Sequence, residues 1–248
     1  YHTAPPHSLL ILQFVNIHDF INDGINGEPR HRVNIELACN VLRCVSTVLS
    51  EIKSCSAICL FDRPHTTQCT ISRSRSGFLF PDTYFIPYDA TADDVVAMML
   101  KNFDAHLTDA MKAGIAKQNL SIYQFVTLAS LIEKEAKYEK DRPLIASVFE
   151  NRLKIHMKLQ SDASISYAMG THKAAYSINE TQYDSPYNTY RYEGLPPGPI
   201  GNPGMDCMEA ILEAPQTNYL YFVADKDGHN YFAATYEEHM KNVQEHMP

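Results

Sequence analysis

Residues 128–143 read LASLIEKEAKYEKDRP, an apolar run that ends on two glutamates, Glu133 and Glu135. Leu128, Ala129, Leu131 and Ile132 set a helical pattern, and the acids stand where that pattern stops. A carboxyl group beside a core is hard to ionise, and chemistry that needs a protonated acid near neutral pH uses such a place. Successive helical residues turn by about 100°, so Glu133 and Glu135 project roughly 200° apart and do not converge on one bond. The pair is therefore not the facing acid and nucleophile, or acid and base, of an ordinary glycosidase. Leu128, Leu131 and Ile132 lie within about 60° of Glu135, while Glu133 shares its side with Val126 and Ala129. Both acids flank the apolar arc. Periodicity alone leaves a solvated helix end, shared with Lys134, Lys137 and Lys140, as the plainer reading.

Working outward, Ser121 with Gln124 three residues on forms a capping box that starts this helix. Thr91 caps an earlier one, with Asp93 and Asp94 in its positive first turn and Val95, Met99, Phe103 and Leu107 as a stripe. GFLFPDTYFIPYDA (77–90) is aromatic, punctuated by Pro81 and Pro87, and suits short edge strands. Further upstream come an apolar run with strand character (Leu9 to Val15), a turn (Asn22 to Gly27) and a mixed stretch open to helix (Val33 to Leu60). Ser72 to Ser76 make a polar link, so the chain divides near residue 77.

Downstream, Asp141-Arg142-Pro143 begins a helix whose apolar face is Leu144, Ile145, Val148, Phe149 and Leu153. Beyond residue 158 the text becomes a long polar and aromatic tract, LQSDASISYAMG, SPYNTY and GLPPGPIGNPG, where Pro196, Pro197, Pro199 and Pro203 forbid regular helix. A loop of this kind on a rigid scaffold is where substrate contacts concentrate. A short helix (Met205 to Leu212), a hairpin (219–235) about a glycine-containing turn and a polar helix (Tyr236 to Glu245) complete the chain. The fold class is α+β: a helical core with short strands and a hairpin over 77–248, preceded by a smaller, poorly defined N-terminal region over 1–76.

The chain has 248 residues, 45% of them hydrophobic, enough for a substantial core. Its 21 basic and 29 acidic residues give a formal charge of −8, which argues against nucleic acid as a partner. The longest apolar run, LLILQFV at 9–15, is far short of the roughly 20 residues that span a bilayer. The chain opens on Tyr1 rather than Met and is read as a trimmed piece whose N-terminal anchor is missing. Of six cysteines, Cys39, Cys44, Cys55, Cys59 and Cys69 share one segment and Cys207 stands alone. Cys55, Cys59, His65 and Cys69 have spacings open to zinc, but without paired knuckles they are read as free buried thiols and no metal is expected.

The ordered succession GFLFPDTY, EKEA, RPLIASVFENRLK, LQSDASISYAMG, SPYNTYRYEGLPPGPIGNPG and YLYFVADKDGHNYF resembles the YceG-like family of endolytic murein transglycosylases, from about Gly77 to the end. The resemblance implies cleavage of the β-1,4 bond between N-acetylmuramic acid and N-acetylglucosamine within peptidoglycan glycan strands, leaving a 1,6-anhydro end. One carboxylic acid suffices for that, because the nucleophile is a hydroxyl of the same sugar. The resemblance makes Glu135, the second glutamate of E-K-E, the catalytic acid and Glu133 a supporting one. Gln160 and Asp162 of LQSD, with Tyr187, Asn188 and Tyr190 of YNTY, are candidate sugar contacts, each equally open to a loop-stabilising role. Ala163 stands where the family commonly has proline. The resemblance further implies a LysM-like region ahead of the catalytic part, an extracytoplasmic location at the cell membrane and cell-wall synthases as neighbours. Two rivals remain: a non-catalytic module that binds peptidoglycan or a division complex, and a pyridoxal-dependent lyase. The latter lacks a phosphate-cradling glycine loop and a uniquely placed lysine, so no cofactor is expected.

Overall fold

The structure, a computed structural model, describes residues 10–13, 77–87, 90–171, 173 and 176–247. It forms two compact units, Tyr1–Ala105 and His106–Pro248. The turn, the mixed stretch, the polar link and the five clustered cysteines read from residues 22–76 lie outside the described residues. Among the described residues there are seven α-helices and two two-stranded antiparallel sheets, an α+β fold as expected.

In the first unit, β1 (Leu10–Gln13) pairs with β2 (Thr83–Ile86) in antiparallel register, Leu10 opposite Ile86 and Gln13 opposite Thr83. Along β2 the side chains alternate, with Tyr84 and Ile86 buried and Thr83 and Phe85 exposed, the period-2 pattern of a strand with one covered face. Tyr84 and Ile86 pack with Leu79, Val96 and Met99. Val96 and Met99 come from α1 (Ala92–His106), whose first turn is closed by Thr91: Asp94 N donates to Thr91 Oγ1 and the Asp94 carboxylate accepts from Thr91 N. The helix stops one residue short of Leu107.

The second unit is built around α3 (Ile122–Glu135). Its N-terminus carries the full capping box between Ser121 and Gln124. Phe125 through Ile132 are all buried, including Thr127 and Ser130, so this helix is enclosed on every side and not along one arc. Each fully buried Leu, Ile, Val or Phe contributes roughly 1.5–3 kcal/mol of hydrophobic free energy before entropy is counted. The two interior hydroxyls bond the helix's own carbonyls, Thr127 to Tyr123 and Ser130 to Thr127, which removes the penalty of burying them bare. Around α3 pack α2 (Asp109–Lys117), α4 (Arg142–Lys154), α5 (Asp162–Met169) and α6 (Met205–Leu212).

The tract after residue 158 is not wholly irregular, since α5 occupies part of it; it lacks an apolar stripe and owes its place to hydrogen bonds from buried Ser164 and Thr189. The proline-rich run does stay out of helix and lies against α3, where Ile200 N donates to Ser130 Oγ at 3.0 Å. A hairpin of β3 (Tyr221–Ala224) and β4 (Asn230–Ala233) turns at Gly228, whose φ of 87° suits glycine. The hairpin turn docks on the segment leaving α3. Lys137 Nζ and Tyr138 Oη donate to Asp227 O at 2.8 and 3.0 Å, Tyr138 stacks on His229, and Asn230 donates to the Asp141 carboxylate. The closing helix α7 (Tyr236–His246) starts on a second capping box, Thr235 with Glu238.

Candidate active site

Glu135 is the last residue of α3, where the helix emerges from the core. The residue is half-buried, and its carboxyl group is enclosed by protein atoms. Ser161 Oγ donates to Glu135 Oε1, and the Ala163 backbone N–H donates to the same carboxyl group. Burial holds the pKa of Glu135 above the ordinary carboxylate range. The Ser161 hydroxyl pulls it down, the neighbouring Asp162 charge pushes it up, and the Ala163 amide and the Arg152 cation pull it down again. The balance favours a protonated acid that nonetheless has groups in place to receive its anion.

Glu133 points to a different neighbourhood. Its charge acts on Cys207, a buried free thiol of α6 pushed up to about 12 chiefly by burial, alongside Arg142 and Asp206. The roughly 200° separation drawn from helix geometry holds, and the two glutamates serve separate surroundings. Lys134, exposed, lies alongside Gly201 of the proline-rich run.

Asp162 stands beside Glu135 at the first position of α5, and its Oδ1 accepts from Tyr190 Oη at 2.6 Å. That bond, together with burial as the larger cause, raises the Tyr190 phenol and keeps it protonated. Asn188 is fully buried and works on the loop: its Nδ2 donates to Thr181 O and Tyr183 O, and its Oδ1 accepts from Tyr190 N. With every side-chain group so engaged, Asn188 shapes the YNTY turn from behind. Tyr187 is half-buried, its ring 4.9 Å from that of Tyr167, and its hydroxyl approaches Gly198 in the proline-rich run. A Cβ on Gly198 would overlap the Tyr123 hydroxyl, so this wall needs glycine for close approach. Gln160 is exposed, with its backbone in the left-handed region at φ 52° and its N–H donating to Thr189 O at 3.1 Å.

The two halves of the site, 160–164 and 187–190, are stitched together by Thr189. Its Oγ1 accepts from Ser161 N at 2.9 Å and bonds Ser164 Oγ at 2.8 Å, while Ser164 Oγ also donates to Ser161 O. Gln160, Asp162, Asn188 and Tyr190 are thus brought to Glu135 as one hydrogen-bonded bed, and Tyr187 joins from the side of the proline wall. Three residues not singled out from sequence belong to it: Ser161, Thr189 and Arg152. Arg152 had a legible signal, since Ile145, Val148, Phe149 and Arg152 fall at i, i+3, i+4 and i+7 and place a charge on the covered face of α4. Ser161 and Thr189 had none, because their partners lie 26 and 28 residues away in the chain.

Among the described residues, one group of side chains has ligand atoms close enough for a cation: Asp225, Asp227 and His229, in the hairpin turn. The Asp225 carboxylate is already occupied by the N–H groups of Asp227 and His229 at 2.9 Å each, which accounts for it as a turn device.

Residues 15–245 match the YceG-like family, a span that reaches back well before Gly77. An endolytic murein transglycosylase of Bacillus subtilis (strain 168) is 42% identical over 178 residues, 71% of this chain and 49% of that protein. One from Streptococcus pneumoniae serotype 2 (strain D39) is 41% identical over 177 residues, covering 69% of this chain and 32% of that protein. The chain therefore spans about half of the first relative and about a third of the second. The 2.6 Å crystal structure of a yceG-like protein from Listeria monocytogenes shares the fold with a TM-score of 0.64 and 37% identity, over 82% of this chain and 66% of that one.

Proposed function

We propose a function from one premise, that the chain belongs to the YceG-like family: it is an endolytic lytic transglycosylase acting on peptidoglycan glycan strands. The observation that carries the reading is the enclosed carboxyl group of Glu135, raised by burial and held by the Ser161 hydroxyl at the mouth of the core. Glu135, protonated, gives its proton to the glycosidic oxygen of the bond between N-acetylmuramic acid and N-acetylglucosamine. The C1–O4 bond breaks, the N-acetylglucosamine leaves with a free 4-hydroxyl, and positive charge develops at C1. The C6 hydroxyl of the same muramyl residue then closes onto C1, and Glu135, now carboxylate, takes the hydroxyl proton. The product is a 1,6-anhydro end, no water is consumed, and the acid is restored. Because the nucleophile is tethered to the reacting carbon, one carboxyl group does both proton transfers.

Ser161 and the Ala163 amide stabilise the carboxylate between the two transfers. Asp162, oriented by Tyr190, faces the charge that develops at C1. Tyr187 and the glycine-and-proline wall shape the cleft, Gln160 offers an amide at its rim, and Asn188 and Thr189 fix the bed beneath. Glu133, whose charge acts on Cys207, has a supporting role.

These residues fall within 77–248, which we assign as the catalytic domain, with 1–76 as a separate N-terminal region. No helix among the described residues is long and apolar enough to cross a membrane. A murein substrate lies outside the cytoplasm, so we place the enzyme on the extracytoplasmic face of the cell membrane, adjacent to cell-wall synthases. The test is mass analysis of peptide-free glycan strands after digestion. The native chain is expected to leave anhydro-muramyl ends and Glu135→Gln to leave strands intact while still binding them; ordinary reducing ends would replace this reading with hydrolysis.

A further inference from the structure

Arg152 sits on α4 with 7% of its surface exposed, a charge taken almost wholly out of water. Its Nε donates to Leu220 O at 2.6 Å, and its Nη1 to Leu159 O at 2.7 Å, Lys158 O at 3.3 Å and Gln160 Oε1 at 3.4 Å. Each of these acceptors is a carbonyl or amide oxygen, so no carboxylate among them neutralises the buried cation. The ring of Tyr221 lies beneath the guanidinium at 5.4 Å. Three of the four acceptors belong to residues 158–160, the turn that ends in the left-handed conformation of Gln160 (φ 52°) and passes directly into Ser161. An L side chain holds that conformation only where its surroundings insist on it.

We propose that Arg152 is a positioning residue for the reaction: it braces the left-handed corner at Gln160, so that Ser161 meets the Glu135 carboxyl, and it presents the buried positive charge that faces that carboxyl. This deepens the reading of Glu135 as the acid and rests on it. The charge matters in the interval when Glu135 is anionic, because a fixed cation in a desolvated site stabilises that state without reorganising. A guanidinium suits the place, since it keeps its charge when buried and reaches several carbonyls at once.

The other groups facing Glu135 are few. From α5 come Asp162 and the Ala163 donor, from the residue before it the Ser161 donor, and from the 187–190 turn Tyr190, bonded to Asp162. From β3, Tyr221 lies on Arg152 itself. On the α6 side, Asp206 acts with Arg142 and Glu133 on Cys207 and not on Glu135. Arg152 is thus the cation whose charge opposes that of Asp162 at the acid, after the Ser161 and Ala163 hydrogen bonds.

The experiment measures kcat/KM against pH on peptide-free glycan strands for the native chain, Arg152→Met, Arg152→Lys and Glu135→Gln. Arg152→Met is expected to lose roughly 100-fold, the size of effect that follows when a reacting group is displaced by about an ångström. Its basic limb moves to higher pH, because an acid deprived of its cation gives up its proton less readily. Arg152→Lys keeps the limb at the native position while losing part of the rate. A limb in Arg152→Met that coincides with the native one, or a limb in Arg152→Lys displaced as far as in Arg152→Met, overturns the proposal and leaves Arg152 a structural residue. Should Arg152→Met not fold, the comparison passes to R152M/Q160G against Q160G, because glycine takes the left-handed angles without bracing. The same two limb positions decide it. Cleavage by Glu135→Gln sinks the functional reading itself, which separates that failure from a failure of Arg152.

Discussion

Replacing Ser161 by alanine removes one oxygen from the surroundings of the acid and little else. The Ser161 N–H still donates to Thr189 Oγ1 and its carbonyl still accepts from Ser164 Oγ, so the turn that carries it survives. While Glu135 holds its proton the lost bond joins neutral groups and is worth about 1 kcal/mol; once the proton has left it is a bond to an anion, worth about 1.5–3 kcal/mol. The transition state for proton transfer loses the difference, about 1 kcal/mol and at most about 2, which is a rate reduction of about 5- to 30-fold. The hydroxyl also opposes the effect of burial on Glu135, so its loss lets the pKa climb further and moves the basic limb of kcat/KM to higher pH. Single-turnover release of anhydro-muramyl fragments across a pH series reads both quantities. A native rate together with a native limb would mean that the hydroxyl is not on the reacting acid, and the proton shuttle through Glu135 would have to be abandoned.

Two further outcomes concern stability. Glu135 has a folded-state pKa above its unfolded value, so its contribution is fully present below the unfolded value and fades as pH rises through the folded one. Thermal melts should therefore show Glu135→Gln gaining on the native chain as pH goes from mildly acidic to alkaline; a constant difference across that window contradicts the buried-acid geometry. Gly198→Ala puts a Cβ onto the Tyr123 hydroxyl and is expected to cost about 1–3 kcal/mol as the wall shifts. The double variant with Tyr123→Phe should recover part of the loss, and no recovery would place the strain elsewhere.

What the sequence disclosed was local chemistry. The capping box at Ser121, the proline at the start of α4, the glycine turn of the hairpin and the ban on helix in the proline run all act within four residues, and all stand in the structure. The divergence of Glu133 and Glu135 was equally readable, because it follows from helical rotation alone. The surroundings that give Glu135 its character were not. Ser161 and Thr189 act through partners that adjacency does not reveal, and α5 gains its stability from buried hydroxyl contacts instead of a periodic apolar face. Even the reading of α3 as a one-sided helix underestimated its enclosure, since Thr127 and Ser130 look polar in the text yet are satisfied within the helix and carried fully inside.

The docking of the hairpin on the exit of α3 has a temporal meaning. Lys137 and Tyr138 are tied to Asp227 across 90 and 89 residues of chain, so the segment directly after the acid is clamped only once the hairpin turn has been made. A ribosome delivers α3 long before its clamp. Glu135 meets Ser161 after 26 further residues, whereas the chain just beyond the acid waits for the hairpin, so the two sides of the helix exit are secured at different stages of folding on the ribosome.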